Sequence, residues 1–290
     1  MRHSTTYRYR RPVAFGEHRL MFRPRDSHDL RLLDTALLIR PAASIRWLHD
    51  VFGNSVAIAR FATPAEELVF DSTFRVRHYP IQTEAIELEP DARRYPFQYS
   101  ADEIPDLAHC VDRHYADPDG IIDAWARQFL DPFGSGDTLQ LLTAMTQRIR
   151  QDFTYMRRGA AGTRNPLRTL ELRSGTCRDY ALLMMEAVRS LGLAARFVTG
   201  YLYDESLVDG DARLVGGGET HAWLQVYLPG GGWVEFDPTN ALVAGRNLIR
   251  VAVARDPTQA LPLSGTFYGS REDDLGMEVH VQVTAEPQDL

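Results

Sequence analysis

Ser174-Gly175-Thr176-Cys177-Arg178-Asp179-Tyr180 runs straight into Ala181-Leu182-Leu183-Met184-Met185-Glu186-Ala187-Val188-Arg189-Ser190-Leu191. Met184, Val188 and Leu191, with Ala181 and Ala187 beside them, recur at the three- and four-residue spacing of one buried helical face. Gly192 is a suitable stop, because glycine tolerates the left-handed conformation that ends many helices. Gly175-Thr176 supplies a tight entry and a capping hydroxyl. Cys177 is therefore expected as the first or second residue of the helix. There it faces unpaired backbone N–H groups and the positive end of the helix dipole, which favour the nucleophilic thiolate. The same N–H groups suit a developing oxyanion.

Working outward, His221-Ala222-Trp223-Leu224-Gln225-Val226-Tyr227-Leu228 reads as a strand with His221, Trp223, Gln225 and Tyr227 on one face. Pro229-Gly230-Gly231-Gly232 makes a turn, and Trp233-Val234-Glu235-Phe236-Asp237 returns antiparallel. With Leu228 and Trp233 flanking the turn, the hairpin brings Asp237 near His221. A carboxylate there accepts the imidazole N–H and fixes its tautomer, as the third member of a nucleophile–base–acid triad does.

These motifs resemble the bacterial transglutaminase-like superfamily, within the papain-like cysteine hydrolase fold. The strings that carry the likeness are SGTCRDYA (174–181), THAWLQVYLPGGGWVEFDPTN (220–240) and IRVAVARD (249–256). TTYRYRRPV (5–13), HRLMFRPR (18–25) and WLHDVFGNSVAIARF (47–61) resemble the β-domain that precedes the core in one bacterial branch. The resemblance implies a catalytic Cys177, His221 and Asp237. It also brings the aromatic of Phe153-Thr154-Tyr155 toward the active site. Tyr155, Thr176, Arg178 and Trp223 are the candidate substrate or oxyanion contacts. Many relatives carry a histidine where this chain has Asn247.

The 290 residues are 44% hydrophobic and 24% charged, a globular composition long enough for one large or two ordinary domains. Every one of the 32 basic residues is arginine. Without lysine there is no Walker A loop, no pyridoxal-phosphate Schiff base and no protein-kinase strand lysine. A net charge of −7 does not favour nucleic acid. No apolar run of membrane-spanning length occurs, and Met1 to Tyr7 lacks a signal-peptide core, so a cytosolic protein with no membrane partner is expected. Two cysteines cannot build a disulfide framework. Cys110 and His114 stand four apart on a possible helix, but two ligands make a poor zinc site, and no metal or cofactor is expected. Eukaryotic transglutaminases use calcium, yet no acidic calcium loop is visible.

The expected organisation is α+β. Residues 1–85 form a small sandwich-like β-domain, with strands near 35–41, 44–49, 56–61 and 72–79. Residues 86–131 are a proline-rich connection with a helix near Ile121 to Ala126. Residues 132–290 are a transglutaminase-like core, the Cys177 helix packed on an antiparallel sheet. Asp137 or Thr138 caps a further helix whose buried face is Leu141, Leu142, Met145 and Ile149. A loop from Asp204 to Glu219 ends beside His221 and is placed to gate the site. The expected chemistry is acyl transfer on a protein or peptide substrate. Water as acceptor gives a cysteine protease, amidase or deamidase; an amine gives a cross-linking transferase. A chain that binds peptides through an inert triad is the third reading.

Overall fold

A computed structural model describes residues 1–79, 83–157, 162–204, 214–215, 219–245 and 247–285. The chain opens with β1 (Arg2–Phe15), β2 (His18–Leu20), β3 (Leu30–Arg40), β4 (Ala43–His49), β5 (Ser55–Phe61) and β6 (Ala65–His78). A mixed segment follows: the two-residue β7 (Arg94–Tyr95), α1 (Glu103–Val111), α2 (Ile121–Arg127), β8 (Gly136–Asp137), α3 (Thr138–Asp152), β9 (Thr154–Tyr155), α4 (Pro166–Leu172), β10 (Ser174–Gly175) and α5 (Cys177–Ser190). The larger strands of the second half are β11 (Ala195–Leu202), β12 (Thr220–Leu228), β13 (Gly232–Asp237) and β15 (Leu248–Ala254), with the short β14 (Leu242–Val243) between the last two. Three strands close the chain: β16 (Leu263–Ser264), β17 (Phe267–Tyr268) and β18 (Asp274–Gln282).

The N-terminal part is a sandwich. One sheet runs β17-β1-β6-β3 with β18 also on β1; the other runs β16-β2-β5-β4. Alternate residues of the strands enter a shared core that includes Tyr9, Phe15, Leu20, Ala57, Ala59, Leu68 and Phe70. The four expected strands are present as β3 to β6. One expectation is corrected: residues 263–282 do not extend the catalytic core but return to the sandwich. Thr5 pairs with Phe70 on one side and Val279 on the other, so β1 is sandwiched between β6 and β18. Alternation in Met277 to Val283 signals a strand, but which edge it joins depends on where an unpaired ladder lies after folding.

The core sheet has the order β14-β13-β12-β11-β15, all antiparallel. Ala222, Leu224, Val226 and Leu228 alternate along β12 and join one hydrophobic cluster with Ala181, Met184, Ala187 and Val188 of α5. Helix α5 is buried on nearly all sides, far beyond the single face read from spacing. The segment 86–131 is likewise not a mere connection. Leu88, Tyr95, Ile122 and Ala126 enter the same cluster, and the Tyr95 hydroxyl donates to the Leu191 carbonyl at 3.0 Å. Helix α3 has the expected Asp137 cap, which accepts the Gln140 N–H at 2.8 Å, and the expected buried face. The possible helix through Cys110 is present as α1 but ends before His114, and α4 was not foreseen. Among the described residues no helix is long and apolar enough to cross a membrane.

His3 ties the two halves together. Its ring is 2% exposed, and its nitrogens meet the Tyr201 hydroxyl of β11 at 2.7 Å and the Thr5 hydroxyl at 3.0 Å. Burial pulls its pKa from 6.5 down to about 4, against a smaller pull upward from Asp71. The folded state therefore binds this proton less readily than the unfolded chain. The resulting stability is present above pH 6.5 and is lost as pH falls toward 4, by about 3 kcal/mol in total. Urea unfolding at pH 7 and pH 4 should show this loss. His3→Gln should flatten it in part, since burial also lowers the pKa of His18. An unchanged pH slope in His3→Gln would remove His3 from the account.

Candidate active site

Gly175 and Thr176 set the start of α5. A Cβ on Gly175 would stand 2.8 Å from the Asp179 Cβ and 3.2 Å from the Tyr180 ring, so only glycine fits. Thr176 and Asp179 form a reciprocal capping box: the Thr176 hydroxyl accepts the Asp179 N–H, and the Asp179 carboxylate accepts the Thr176 N–H at 2.9 Å. Asp179 also accepts the Arg164 N–H at 2.6 Å, locking the preceding loop. The cap takes the Asp179 N–H, and the Tyr180 N–H returns to the Thr176 carbonyl. Among the described residues no hydrogen bond takes the N–H of Cys177 or Arg178. Thr176 is thus a helix cap.

Cys177 is the first residue of α5 and is 7% exposed. Parallel pairing of Gly175 with Tyr155 brings the phenol to it. Burial and then the Cys177 charge hold the Tyr155 pKa above its ordinary value. Two-residue strands such as β9 and β10 leave no periodic trace, so this approach was legible only through the family resemblance.

His221 Nε2 donates to Asp237 Oδ2 at 2.8 Å, with both side chains fully buried. Leu228 pairs with Gly232 and Leu224 with Phe236, a register one residue tighter than a hairpin with Leu228 opposite Trp233. Asp237 thus lies beside Trp223, diagonal to His221 on the same face. Its other oxygen accepts the Thr239 N–H at 2.9 Å, and Oδ2 also accepts from Asn240 Nδ2 at 2.8 Å. Burial opposes charge on both groups, but mutual attraction wins. The His221 charge and these hydrogen bonds hold the Asp237 carboxyl below its usual range. Despite burial, Asp237 raises the His221 pKa from 6.5 to about 10, and Cys177 adds to the rise. The stability from this pair is complete below pH 6.5 and is lost as pH climbs through about 10. His221 Nδ1 has no partner within hydrogen-bond limits, although the Cys177 sulfur is near enough to raise the pKa of the ring.

The other candidates separate. Trp223 is fully buried and stacks on His221 with centroids 5.9 Å apart and planes at 27°. It fixes the imidazole from behind. Arg178 turns its guanidinium to the Pro257 carbonyl at 2.7 Å and over the Phe197 ring at 4.9 Å, a structural use of the side chain. Asn247 closes the β11–β15 end through the Tyr203 carbonyl at 2.8 Å. Asn240 went unnoticed in the sequence. Besides Asp237, it accepts the Val215 N–H at 2.7 Å and donates to the Val215 carbonyl at 3.1 Å. Its place three residues after an Asp-Pro was the available signal, since Asp and Asn favour such turns. The expected gating loop lies mostly outside the described residues. Its far end is held by Asn240, and by a Glu219–Arg157 ion pair at 3.1 Å. Among the described residues no group of three or more metal-ligating side chains comes together.

The fold thus brings the start of α5, His221 and Asp237 together. Residues 1–77 match the family model of the bacterial transglutaminase-like N-terminal region, and residues 127–238 match that of the transglutaminase-like superfamily. The chain thus carries a transglutaminase-like core domain behind a bacterial transglutaminase-like N-terminal region. An uncharacterised protein of Mycobacterium tuberculosis is 29% identical over 97% of this chain and 90% of its own length. A protein-glutamine gamma-glutamyltransferase of Pseudomonas aeruginosa is 36% identical over 34% of this chain, but only 15% of its own length. In three dimensions, a Cytophaga hutchinsonii protein provisionally named a cysteine protease has the same fold. Its TM-score is 0.70 at 22% identity, covering 99% of this chain and 91% of that one.

The two thiols should differ in reactivity. Burial pushes the Cys110 thiol pKa up against the pull of Arg189, Arg196 and Arg255, and Cys110 sits late in α1 rather than at a helix start. Iodoacetamide at pH 6 should therefore label Cys177 first. Peptide mapping that finds Cys110 labelled first, or both at one rate, would count against the site.

Proposed function

We propose that this protein is a thiol-dependent amide hydrolase acting on peptides or proteins through Cys177, His221 and Asp237. The observation that carries the reading is the fully buried His221–Asp237 pair at 2.8 Å, with Cys177 near enough to raise the pKa of the ring. His221 takes the Cys177 thiol proton, and the Asp237 carboxylate beneath it stabilises the imidazolium that forms. The sulfur attacks the amide carbon, a C–S bond forms, and the carbonyl oxygen takes up the negative charge. The free N–H groups of Cys177 and Arg178 are placed to receive that oxyanion. The C–N bond then breaks as His221 hands its proton to the leaving amine or ammonia. Water adds to the thioester, His221 takes its proton, and the acid departs as the thiol is regenerated. The reaction requires no cofactor.

Transfer to an amine is the second reading, favoured by the likeness to the Pseudomonas aeruginosa gamma-glutamyltransferase. Water is the acceptor we favour, because it is always present and no second amine site is marked. A peptide library incubated with and without a millimolar primary amine, followed by mass spectrometry, decides. Cleavage or deamidation that ignores the amine supports hydrolysis. Cys177-dependent incorporation of the amine into a glutamine peptide overturns it. No Cys177-dependent product of any kind would leave a binding protein.

A further inference from the structure

The cleft between the sandwich and the core sheet holds a cavity of about 340 Å³ whose wall includes none of Cys177, His221 and Asp237. Three arginines line it: Arg25, Arg196 and Arg250. Arg250 already has two carboxylates, Asp29 at 3.0 Å and Glu235 at 3.2 Å. Arg25 gives one hydrogen bond to the Phe52 carbonyl at 3.2 Å.

Arg196 is the unusual member. It is partly buried on β11, with its guanidinium 3.9 Å from the centre of the Trp233 ring. Its hydrogen-bond partner is the neutral Gln225, whose Oε1 accepts from Nε at 2.8 Å. Among the described residues no carboxylate comes within ion-pair distance of it. Burial, then repulsion from Arg250, brings its pKa down to about 9, and Arg25 adds to the repulsion. Of the carboxylates on the same wall, Asp29 is held by Arg250 and Asp26 accepts the Leu32 N–H at 2.7 Å. A desolvated guanidinium with only a neutral acceptor is costly, and its planar fork matches carboxylate and phosphate oxygens. The cavity is of the size that takes a small organic ligand.

We propose that Arg196, with Arg25 and Arg250, forms a binding site for the oxyanionic group, carboxylate or phosphate, of a small molecule, separate from the thiol centre. The anion lies against the guanidinium edges. Trp233, stacked on Arg196, provides the apolar wall beside it.

Thermal unfolding of the full chain tests this with inorganic phosphate and with succinate, each against sodium chloride at equal ionic strength. A saturable rise of about 3 °C with either anion, absent with chloride, is expected. Phosphate alone acting identifies a phosphate site; succinate alone identifies a carboxylate site. Arg196→Met keeps the stem on Trp233 and should abolish the shift. Should that variant fail to fold, Arg25→Ala at the cavity mouth decides, with an expected loss of about tenfold in apparent affinity. No shift with either anion, or an undiminished shift in whichever variant folds, overturns the site.

Discussion

Cys177→Ala protein is expected to lose turnover by a factor on the order of 10⁶, the scale seen when the nucleophile of a comparable triad is deleted. Nothing else on the described surface of the site can form the thioester: Tyr155 is the other nucleophile at hand, and its pKa is raised by burial and by the Cys177 charge. The variant should still fold. The thiol is 7% exposed within the main core cluster, so its removal leaves a small void costing about 1 kcal/mol. Circular dichroism and urea unfolding check the fold, and a peptide-release assay checks the activity. Residual turnover within tenfold of the parent protein would end the proposed mechanism.

Asp237→Asn should cost roughly 10² to 10⁴-fold, the range for the orienting acid of a triad. The cause lies in the protonation of His221. Burial alone drives the imidazole toward its neutral form; the Asp237 charge reverses that and brings the pKa to about 10. With asparagine, burial is left unopposed at His221 except by Cys177, so the ring should be neutral at pH 7 and the imidazolium that receives the thiol proton loses its main stabilising charge. Two readouts separate this from simple misfolding. The His221 ring protons followed by NMR should titrate at much lower pH, and iodoacetamide should label Cys177 more slowly at pH 6. Unchanged titration with unchanged activity would remove Asp237 from the reaction while leaving Cys177 in it. Asn240 shares Oδ2 with His221, so its loss is expected to act in the same direction with smaller effect.

From the sequence alone the parts of the site could be read. A cysteine behind Gly-Thr at the head of a long apolar helix, then a histidine and an aspartate on neighbouring strands of one hairpin, are local patterns. Cap residues, period-two alternation and turn glycines act over a few residues, so the Thr176 cap, strands β12 and β13, and the cap and buried face of α3 were all legible. The complete burial of the His221–Asp237 pair was not, because it depends on neighbours distant in the chain.

Tertiary structure alone decided three things. It carried β18 back to β1, since alternation identifies a strand but not its partner. It sent the Arg178 guanidinium to Pro257 and Phe197 and set Trp223 behind His221, because a side chain's direction follows from what packs against its element. It also set Arg25, from the sandwich, in one cavity with Arg196 and Arg250 of the core sheet. Charges so far apart in the chain meet only when the two layers close on each other, and no periodicity in the sequence records that meeting.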